Sequence, residues 1–379
     1  MEPPTPLHLL RSHSHPISAL ALSDDNERIY SADTSGKISV TSTRSLRAIT
    51  TWDAHTDSIL GVEEWDKYIV SHGRDNKVHV WLRIEDLPFS SRIGGSAGLP
   101  SLPTPSLAYS LDVNALNFCR FSLLNLPTGC DKKGEPKALI CLPNLIDSST
   151  ADIWHFPSLE RVHAAIGQEV KKSIFSADPG GRNTSGKLSL LAAYENGSVV
   201  LREYNRKGKE VSIEGEGWDV IWTSKLHVES IMAMRVSRTH DFALTVSADH
   251  IIGRYDLIAE KSPTEQRGVA YRTSHPGIGS VAIRDDGKVC AIGGWDGRIR
   301  LYSTRSLKPL GTLKYHKSAC QCVEFARSMG NTTNLDDEST DPYDDEEMGP
   351  EEKLERSRWL IAGAKDNRIS IWQLISFQK

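Results

Sequence analysis

The sequence predicts an all-β protein built from seven repeated units, each a set of short strands. Three observations carry this expectation. First, one phrase returns four times: Arg74-Asp75-Asn76-Lys77-Val78-His79-Val80-Trp81, then the stretches Ala248–Tyr255, Trp295–Tyr302 and Lys365–Trp372. Each has an aspartate, a tight polar turn, an alternating apolar run and an aromatic six positions after the aspartate. Second, a histidine stands upstream at a near-constant distance: His55 lies 20 residues before Asp75, His227 22 before Asp249, and His275 21 before Asp296. Third, two alternating apolar runs separate histidine from aspartate, as in Ile59–Val62 and Tyr68–Val70. Period-two alternation bounded by turn residues reads as strands, and a repeat at this spacing decides the fold before anything else does.

The units can be taken in order. The first runs from His13 or His15 through Ile17–Leu20, Arg28–Tyr30 and Lys37–Val40, with Ser35 at the aspartate position and Thr41 at the aromatic one. The second holds His55, Ser71, Asp75 and Trp81. The third, about Leu107 to Phe156, ends Ala151-Asp152-Ile153-Trp154-His155 and lacks the histidine. The fourth ends Tyr194–Arg202, with Asn196 in the aspartate slot. The fifth has His227, Thr245, Asp249 and Tyr255, and the sixth has His275, Asp296 and Tyr302. In the seventh, His316 precedes Asp366 by 50 residues, before Trp372. Removing about 28 inserted residues would restore the common spacing.

Composition bounds the class. Of 379 residues, 39% are hydrophobic and 25% charged, as expected of a soluble globular chain. No stretch approaches the ~18 consecutive apolar residues a membrane helix needs. The start, Met1-Glu2-Pro3-Pro4-Thr5-Pro6, has no basic flank and no apolar core, so no signal peptide is expected. Six cysteines are too few for a disulfide scaffold in this length, and reduced, buried thiols are expected. The net charge of −4 hides an asymmetry, because Leu335–Arg356 carries 11 acidic and 2 basic residues. The remainder is mildly basic.

Chemistry-bearing motifs are few. There is no Gly-x4-Gly-Lys-Ser/Thr loop, no His-Glu-x-x-His helix and no Gly-x-Ser-x-Gly elbow. Cys320-Gln321-Cys322 near His316 faintly suggests a metal site, but no second ligand pair has zinc-like spacing, and buried strand cysteines are the plainer reading. Lys132, Lys133, Lys137, Arg206, Lys207 and Lys209 form small basic clusters without interleaved aromatics, so direct nucleic-acid binding is not expected. No catalytic residue, cofactor or metal is expected.

A histidine about 20 residues before an Asp-x5-Trp/Tyr phrase resembles the WD40 repeat. The resemblance implies a seven-bladed WD40 β-propeller. In that family, histidine, a strand-b Ser/Thr, the turn aspartate and the strand-c aromatic form a hydrogen-bonded network within a blade. Carried over, His55, Ser71, Asp75 and Trp81 would form it in full, as would His227, Thr245 and Asp249 with Tyr255. His275, Asp296 and Tyr302, and likewise His316, Asp366 and Trp372, would lack the hydroxyl, since Ile292 and Ala362 stand there. Leu7-His8-Leu9-Leu10 precedes the first histidine, where an outer strand belongs, so the N-terminal strand is expected to close the last blade.

The strands of a unit, in chain order, are d, a, b and c. The d–a and b–c turns then share one face, and the a–b and c–d loops the other. Long segments fall at 84–106 and 205–217 as c–d loops, and at 125–137, 178–187 and 328–357 as a–b loops. All are expected to project from one face. Such a face often binds partners, although loops also lengthen where they do no harm. The acidic 328–357 loop is expected to be solvated and disordered; a basic partner, such as a histone tail, is the alternative.

The wording around the phrases narrows the family. Ser71–Trp81, Ala193–Arg202, Ala291–Tyr302 and Trp359–Asp366 resemble the fungal ASTRA-associated protein 1 group and animal relatives similar to G-protein β-subunit-like protein 1. The resemblance implies a non-catalytic subunit of the ASTRA assembly, which is tied to chromatin remodelling and to a co-chaperone system maturing phosphatidylinositol-3-kinase-related kinases. Its partners would be other protein subunits, with histones or chromatin touched indirectly and no membrane. It implies a nuclear location, with the cytoplasm as a second. A histone-peptide-reading propeller remains a second reading, and would need an acidic or aromatic cage at the channel. A G-protein β-like adaptor is a third, but four prolines within residues 1–16 forbid the N-terminal heptad helix of a true G-protein β subunit. Which residues meet the partner stays open.

Overall fold

Strands dominate the computed structural model, which describes residues 4–84, 102–115, 118–127, 135–167, 174–180, 187–206, 208–209, 211–258, 267–275, 277–329 and 348–374. A short strand, β1 (His8–Leu10), comes first. Blade one is β2 (Ile17–Leu22), β3 (Arg28–Asp33), β4 (Lys37–Ser42) and β5 (Ala48–Asp53). Blade two is β6 (Ile59–Trp65), β7 (Tyr68–Gly73), β8 (Lys77–Leu82) and β9 (Ser106–Asp112). Blade three is β10 (Ser122–Asn125), β11 (Ala138–Pro143), β12 (Ala151–Phe156) and β13 (Glu160–Ile166). Blade four is β14 (Ile174–Gly180), β15 (Ser189–Tyr194), β16 (Ser198–Tyr204) and β17 (Trp218–Lys225). Blade five is β18 (Ile231–Val236), β19 (Phe242–Ser247), β20 (Ile251–Asp256) and β21 (Val269–Arg272). Blade six is β22 (Ile278–Ile283), β23 (Val289–Gly294), β24 (Arg298–Ser303) and β25 (Pro309–Lys314). Blade seven has β26 (Cys320–Phe325), a helix α1 (Pro350–Arg356), β27 (Trp359–Ala364) and β28 (Ile369–Gln373).

Every blade is a four-stranded antiparallel sheet, ordered a–b–c–d from the centre outwards. Inner strands of most neighbouring blades pack together, and the contact of β2 with β26 shuts the ring. The result is the seven-bladed β-propeller that the repeats predict. As expected, the N-terminal strand completes blade seven: β1 pairs with β28 in the register His8↔Ile371 to Leu10↔Ile369. The Leu7 N–H donates to the Ile371 carbonyl at 2.7 Å.

Burial explains the apolar runs. The b strands β3 and β7 are buried along their whole length, because both faces meet a neighbouring blade. The outer strand β9 is exposed at alternate positions. The core is therefore a set of inter-blade seams. In one, Ala291 and Leu301 of blade six pack with Val323, Leu360 and Trp372 of blade seven. Each large apolar side chain buried this way contributes about 1.5–3 kcal/mol.

Two segments differ from expectation. The 205–217 connection does not project freely. Its Ser212 lies beside β13, donating its N–H to the Val162 carbonyl at 2.9 Å and accepting from Ala164 N–H at 3.1 Å. The Ser212 hydroxyl and His163 Nδ1 are 2.9 Å apart. An outer strand leaves backbone groups unpaired, and this strap satisfies some of them. Within the segment expected to be disordered, residues 350–356 form α1, with Pro350 opening the helix. Glu352 lies 3.7 Å from Arg44 and Lys353 3.3 Å from Glu27, tying the helix to blade one. The remaining long connections, 84–106, 125–137, 178–187 and 330–347, fall wholly or mostly outside the described residues.

Candidate functional site

The first candidates are the blade networks. In blade two, His55 Nδ1 is 2.9 Å from Asp75 and Nε2 is 2.8 Å from the Ser71 hydroxyl. Trp81 Nε1–H donates to Ser71 at 3.0 Å. Ser71 therefore turns its own hydrogen to His55 Nε2, leaving Nδ1–H to donate to Asp75 and the imidazole neutral. Burial agrees, since it pushes the His55 pKa down against the pull of Asp75. In blade five, His227 Nδ1 is 3.2 Å from Asp249 and Nε2 is 2.7 Å from Thr245. Tyr255 there stacks on Trp222, with ring centroids 5.8 Å apart.

Other blades depart from the expected pattern. In blade seven, His316 meets Asp366 at 3.0 Å, and its Nε2 finds a hydroxyl after all, Ser370 at 2.8 Å. Trp372 Nε1–H donates to the same oxygen at 2.8 Å, so this network is complete. Ala362 and Ser370 are direct cross-strand partners, and the hydroxyl has moved one strand over. In blade six, His275 is exposed and does not reach Asp296. Arg300, opposite Ile292 in the ladder, takes the carboxylate instead, with Nη1 3.1 Å from Asp296. Tyr302 stays buried in the blade. In blade one, Asp33 and not Ser35 meets His13, at 2.7 Å, while Ser31 holds the other nitrogen at 2.8 Å. Burial opposes ionisation of Asp33, but hydrogen bonds from His13 and Ser35 hold its pKa at about 2. His15 is exposed. In blade three, Asn144 stands in for histidine, donating from Nδ2 to Asp152 at 2.9 Å.

These groups are engaged in holding blades together. His55, Asp75 and His79 lie close enough to suggest a cation. Yet both His55 nitrogens are already bonded, and the His79 ring stacks on His55 with centroids 4.7 Å apart. Cys320 and Cys322 are buried, and burial pushes the Cys322 thiol up to about 12, so it remains protonated. Trp218 and Trp222, on the strand that follows the 205–217 connection, are buried and offer no exposed anchor.

The central channel offers a different kind of site. It opens on the short-turn face as a cavity of about 840 Å³ and on the long-loop face as one of about 760 Å³. Glu63, Arg120, Phe121 and Arg235 border both. At this waist Arg120 crosses the ring from blade three to donate to the Ser18 carbonyl of blade one at 3.2 Å. Arg235 of blade five reaches Glu324 of blade seven at 3.3 Å.

The short-turn mouth is apolar and basic. Four side chains come from the position just before a turn aspartate or its Ser35 counterpart: Thr34, Arg74, Trp295 and Lys365. Trp295 is 49% exposed although it is a tryptophan on an ordered turn. Its ring lies against Gly277 and Gly279; a Cβ on Gly277 would come within 2.6 Å of it. Phe118 is also half exposed, with the Arg74 guanidinium 4.1 Å from its ring centre. Arg74 and Lys365 form no ion pair with a described residue, and Met232 and Leu60 complete the apolar lining.

Comparison with known proteins fits this geometry. Residues 4–42 and 268–303 match the family described as WD domain, G-beta repeat. The whole chain is similar to the ASTRA-associated protein 1 of Penicillium rubens, 31% identical over 98% of each chain. The protein of that name from Verticillium alfalfae is 31% identical over 98% of this chain and 93% of its own. The chain belongs to the ASTRA-associated protein 1 family. A more distant member, from Schizosaccharomyces pombe, is 26% identical over 98% of this chain and 99% of its own.

In this ASTRA-associated protein 1 family member, the repeat phrases yield the scaffold, and the mouth residues hide among them. Trp295 reads as one more repeat position, yet it is the anomaly. The signal was the position before each aspartate, where Arg74, Trp295 and Lys365 vary while the aspartate stays. A second signal sits four residues after the aspartate, at His79, Gly253, Arg300 and Ser370, which face the hydroxyl slot across the ladder. Ser370 there supplies the missing hydroxyl. A Cβ on Gly253 would meet Thr245 Oγ1 at 2.6 Å, so glycine leaves room for the threonine.

Proposed function

We propose that this chain is a non-catalytic subunit of the ASTRA assembly, working in the nucleus as a scaffold for other protein subunits. Through that assembly it contributes to chromatin remodelling and to maturation of phosphatidylinositol-3-kinase-related kinases. The observation that carries a binding role is the half-exposed Trp295 and Phe118 at the channel mouth, beside Arg74 and Lys365, cations without an ion pair among the described residues. Rigid aromatics with arginine are what dominate protein interfaces energetically. Membership of the ASTRA-associated protein 1 family supports the choice of assembly.

The exposed aromatics also raise the histone-peptide reading. A lysine-reading cage, however, surrounds its cation with aromatic faces or carboxylates. Here Arg74 already covers Phe118, and Lys365 adds a second repelling charge. The rim favours an anion over a cation.

Affinity purification of the tagged chain from nuclear and cytoplasmic extracts tests the proposal. Recovery of ASTRA subunits with kinase-maturing co-chaperones is expected, chiefly from the nuclear extract. Histones alone would favour the reader, and recovery of neither would remove the ASTRA reading. A parallel purification without residues 330–356 reports whether the acidic segment takes part.

A further inference from the structure

We infer that the short-turn mouth of the channel binds an acidic linear peptide, seating one aromatic or large aliphatic side chain against Trp295 and Phe118 and its carboxylates on Arg74 and Lys365. The inference rests on the scaffold reading above and names the chemistry of the partner.

Four observations converge on it. The first is the state of blade six. Its histidine network is absent: His275 faces solvent and Arg300 neutralises Asp296. Trp295 lies over Gly277 and Gly279 and turns its free side to the cavity. A tryptophan that contributed only packing would be buried, as Trp65 and Trp372 are in this chain. Held against two glycines, the ring is already oriented, so little side-chain entropy is lost when a ligand covers it.

The second observation is the pairing across the mouth. Phe118, from the connection into blade three, borders the same cavity as Trp295 of blade six. Met232 and Leu60 extend the apolar wall between them. Side chains with apolar bodies match that surface.

The third is charge. Arg74, Arg120, Arg235 and Lys365 line the cavity, against Asp57 and Glu63. Arg235 is taken by Glu324, while Asp57, which accepts the N–H of Ser58 at 2.6 Å, keeps one negative charge on the rim. The cations left on the rim are Arg74 and Lys365, neither ion-paired to a described residue. The opposite mouth has more carboxylates than cations, Asp24, Asp66, Glu64 and Asp285 among them, although Arg327, Arg83 and Arg238 pair with Asp24, Glu64 and Asp285 there. The charge balance thus favours an acidic segment at the short-turn face over the opposite one.

The fourth is depth. The contacts Arg120–Ser18 and Arg235–Glu324 cross the channel at the waist. A peptide therefore docks into the mouth and does not thread the ring.

Panning a phage library of random dodecapeptides against the immobilised full-length chain, with Trp295→Ala and the double variant Arg74→Glu/Lys365→Glu in parallel, tests the inference. Enrichment on the parent of sequences with acidic residues flanking an aromatic or large aliphatic residue is expected. A synthetic peptide of the enriched sequence should lose about tenfold or more in affinity on Trp295→Ala. It should weaken with added salt on the parent, and the double variant should select basic sequences instead. Circular dichroism and thermal unfolding of each variant establish that it is folded; all three altered positions are exposed, so native-like curves are expected. Enrichment of basic sequences on the parent, no enrichment at all, or equal binding by folded Trp295→Ala would overturn the inference. The ASTRA reading fails separately: it falls if the tagged parent recovers no assembly subunit from cells, whatever the peptides do. If parent and variants recover those subunits equally, the assembly reading stands and the mouth is not its docking site.

Discussion

Asn26 and Arg327 hold each other across the seam where the ring closes. Asn26 Nδ2–H donates to the Arg327 carbonyl at 2.8 Å, and the Arg327 N–H donates back to Asn26 Oδ1 at 2.8 Å. The two residues belong to blades one and seven. An asparagine side chain here does what a neighbouring strand would do, pairing both backbone groups of one residue. Asn26 is fully buried and has a φ of 62°, a left-handed conformation that asparagine tolerates better than most residues.

Asn26→Ala should therefore be costly. It strands the Arg327 N–H and carbonyl and places an alanine in left-handed backbone, together about 2–3 kcal/mol. Urea unfolding measures this, and a midpoint equal to the parent's would contradict it. Asn26→Gly separates the two contributions, since it relieves the backbone and still loses the hydrogen bonds.

Removing residues 1–12 should destabilise the whole ring and not only blade seven. The deletion strips β1 from β28 and takes Leu10 out of a cluster shared with Ile17, Trp359 and Ile371. It also bares a strand edge, so association at high concentration should rise. Thermal unfolding followed by light scattering reports both, and an unchanged melting curve would refute the claim.

The blade histidines should divide sharply by context. His316→Ala breaks bonds to Asp366 and Ser370 inside a buried network, which should cost about 2–4 kcal/mol. Ser370→Ala should cost about 1–2 kcal/mol by stranding His316 and Trp372 together. His275→Ala, at an exposed position without Asp296, should stay within about 0.5 kcal/mol of the parent. Comparable losses at His275 and His316 would show that the blade six geometry is wrong.

Acid should weaken the fold through buried histidines and not through carboxylates alone. His72 is fully buried with neither nitrogen hydrogen-bonded to a described residue, and burial, aided by His55, pushes its pKa down to about 3. Burial pushes His163 down to about 4. Both histidines bind a proton more readily when unfolded, at a pKa of about 6.5. Their contribution is thus complete above that pH and is lost as the pH falls. For His72 the slope is about 1.4 kcal/mol per pH unit at most, down to its folded pKa. His72→Leu should flatten this limb between pH 6 and 4 (about 6 and 4, inside the window set by the two pKa values) and leave neutral stability equal or higher. Chemical unfolding across that range is the measurement, and an equally steep limb in the variant would exclude His72 as its source.

Much of this architecture is legible in the sequence because a blade repeats its constraints. The histidine-to-aspartate spacing spans a fixed set of strands, so His55, His227 and His316 point to their partners. What escaped was spatial equivalence between strands. Ala362 marks an empty hydroxyl slot when strand b is read alone, but Ser370 occupies nearly the same place from strand c. Asp33 likewise reaches His13 from two positions before Ser35, because the end of a strand and the turn after it are close in space. The mouth was harder still. Trp295, Phe118, Arg74 and Lys365 come from four blades, and only closure of the ring brings them to one cavity.

The pairing of His8 with Ile371 also carries a consequence for how the chain is made. β1 must wait for β28 to leave the ribosome before it can pair. At roughly 5–20 residues per second, β1 spends on the order of half a minute or more without its partner. Throughout that time six blades can form, but the ring has an open edge at both ends. Until β28 is available the chain is an arc, with the inner strand β2 bare on one flank, and only the pairing of β1 with β28 completes the last blade.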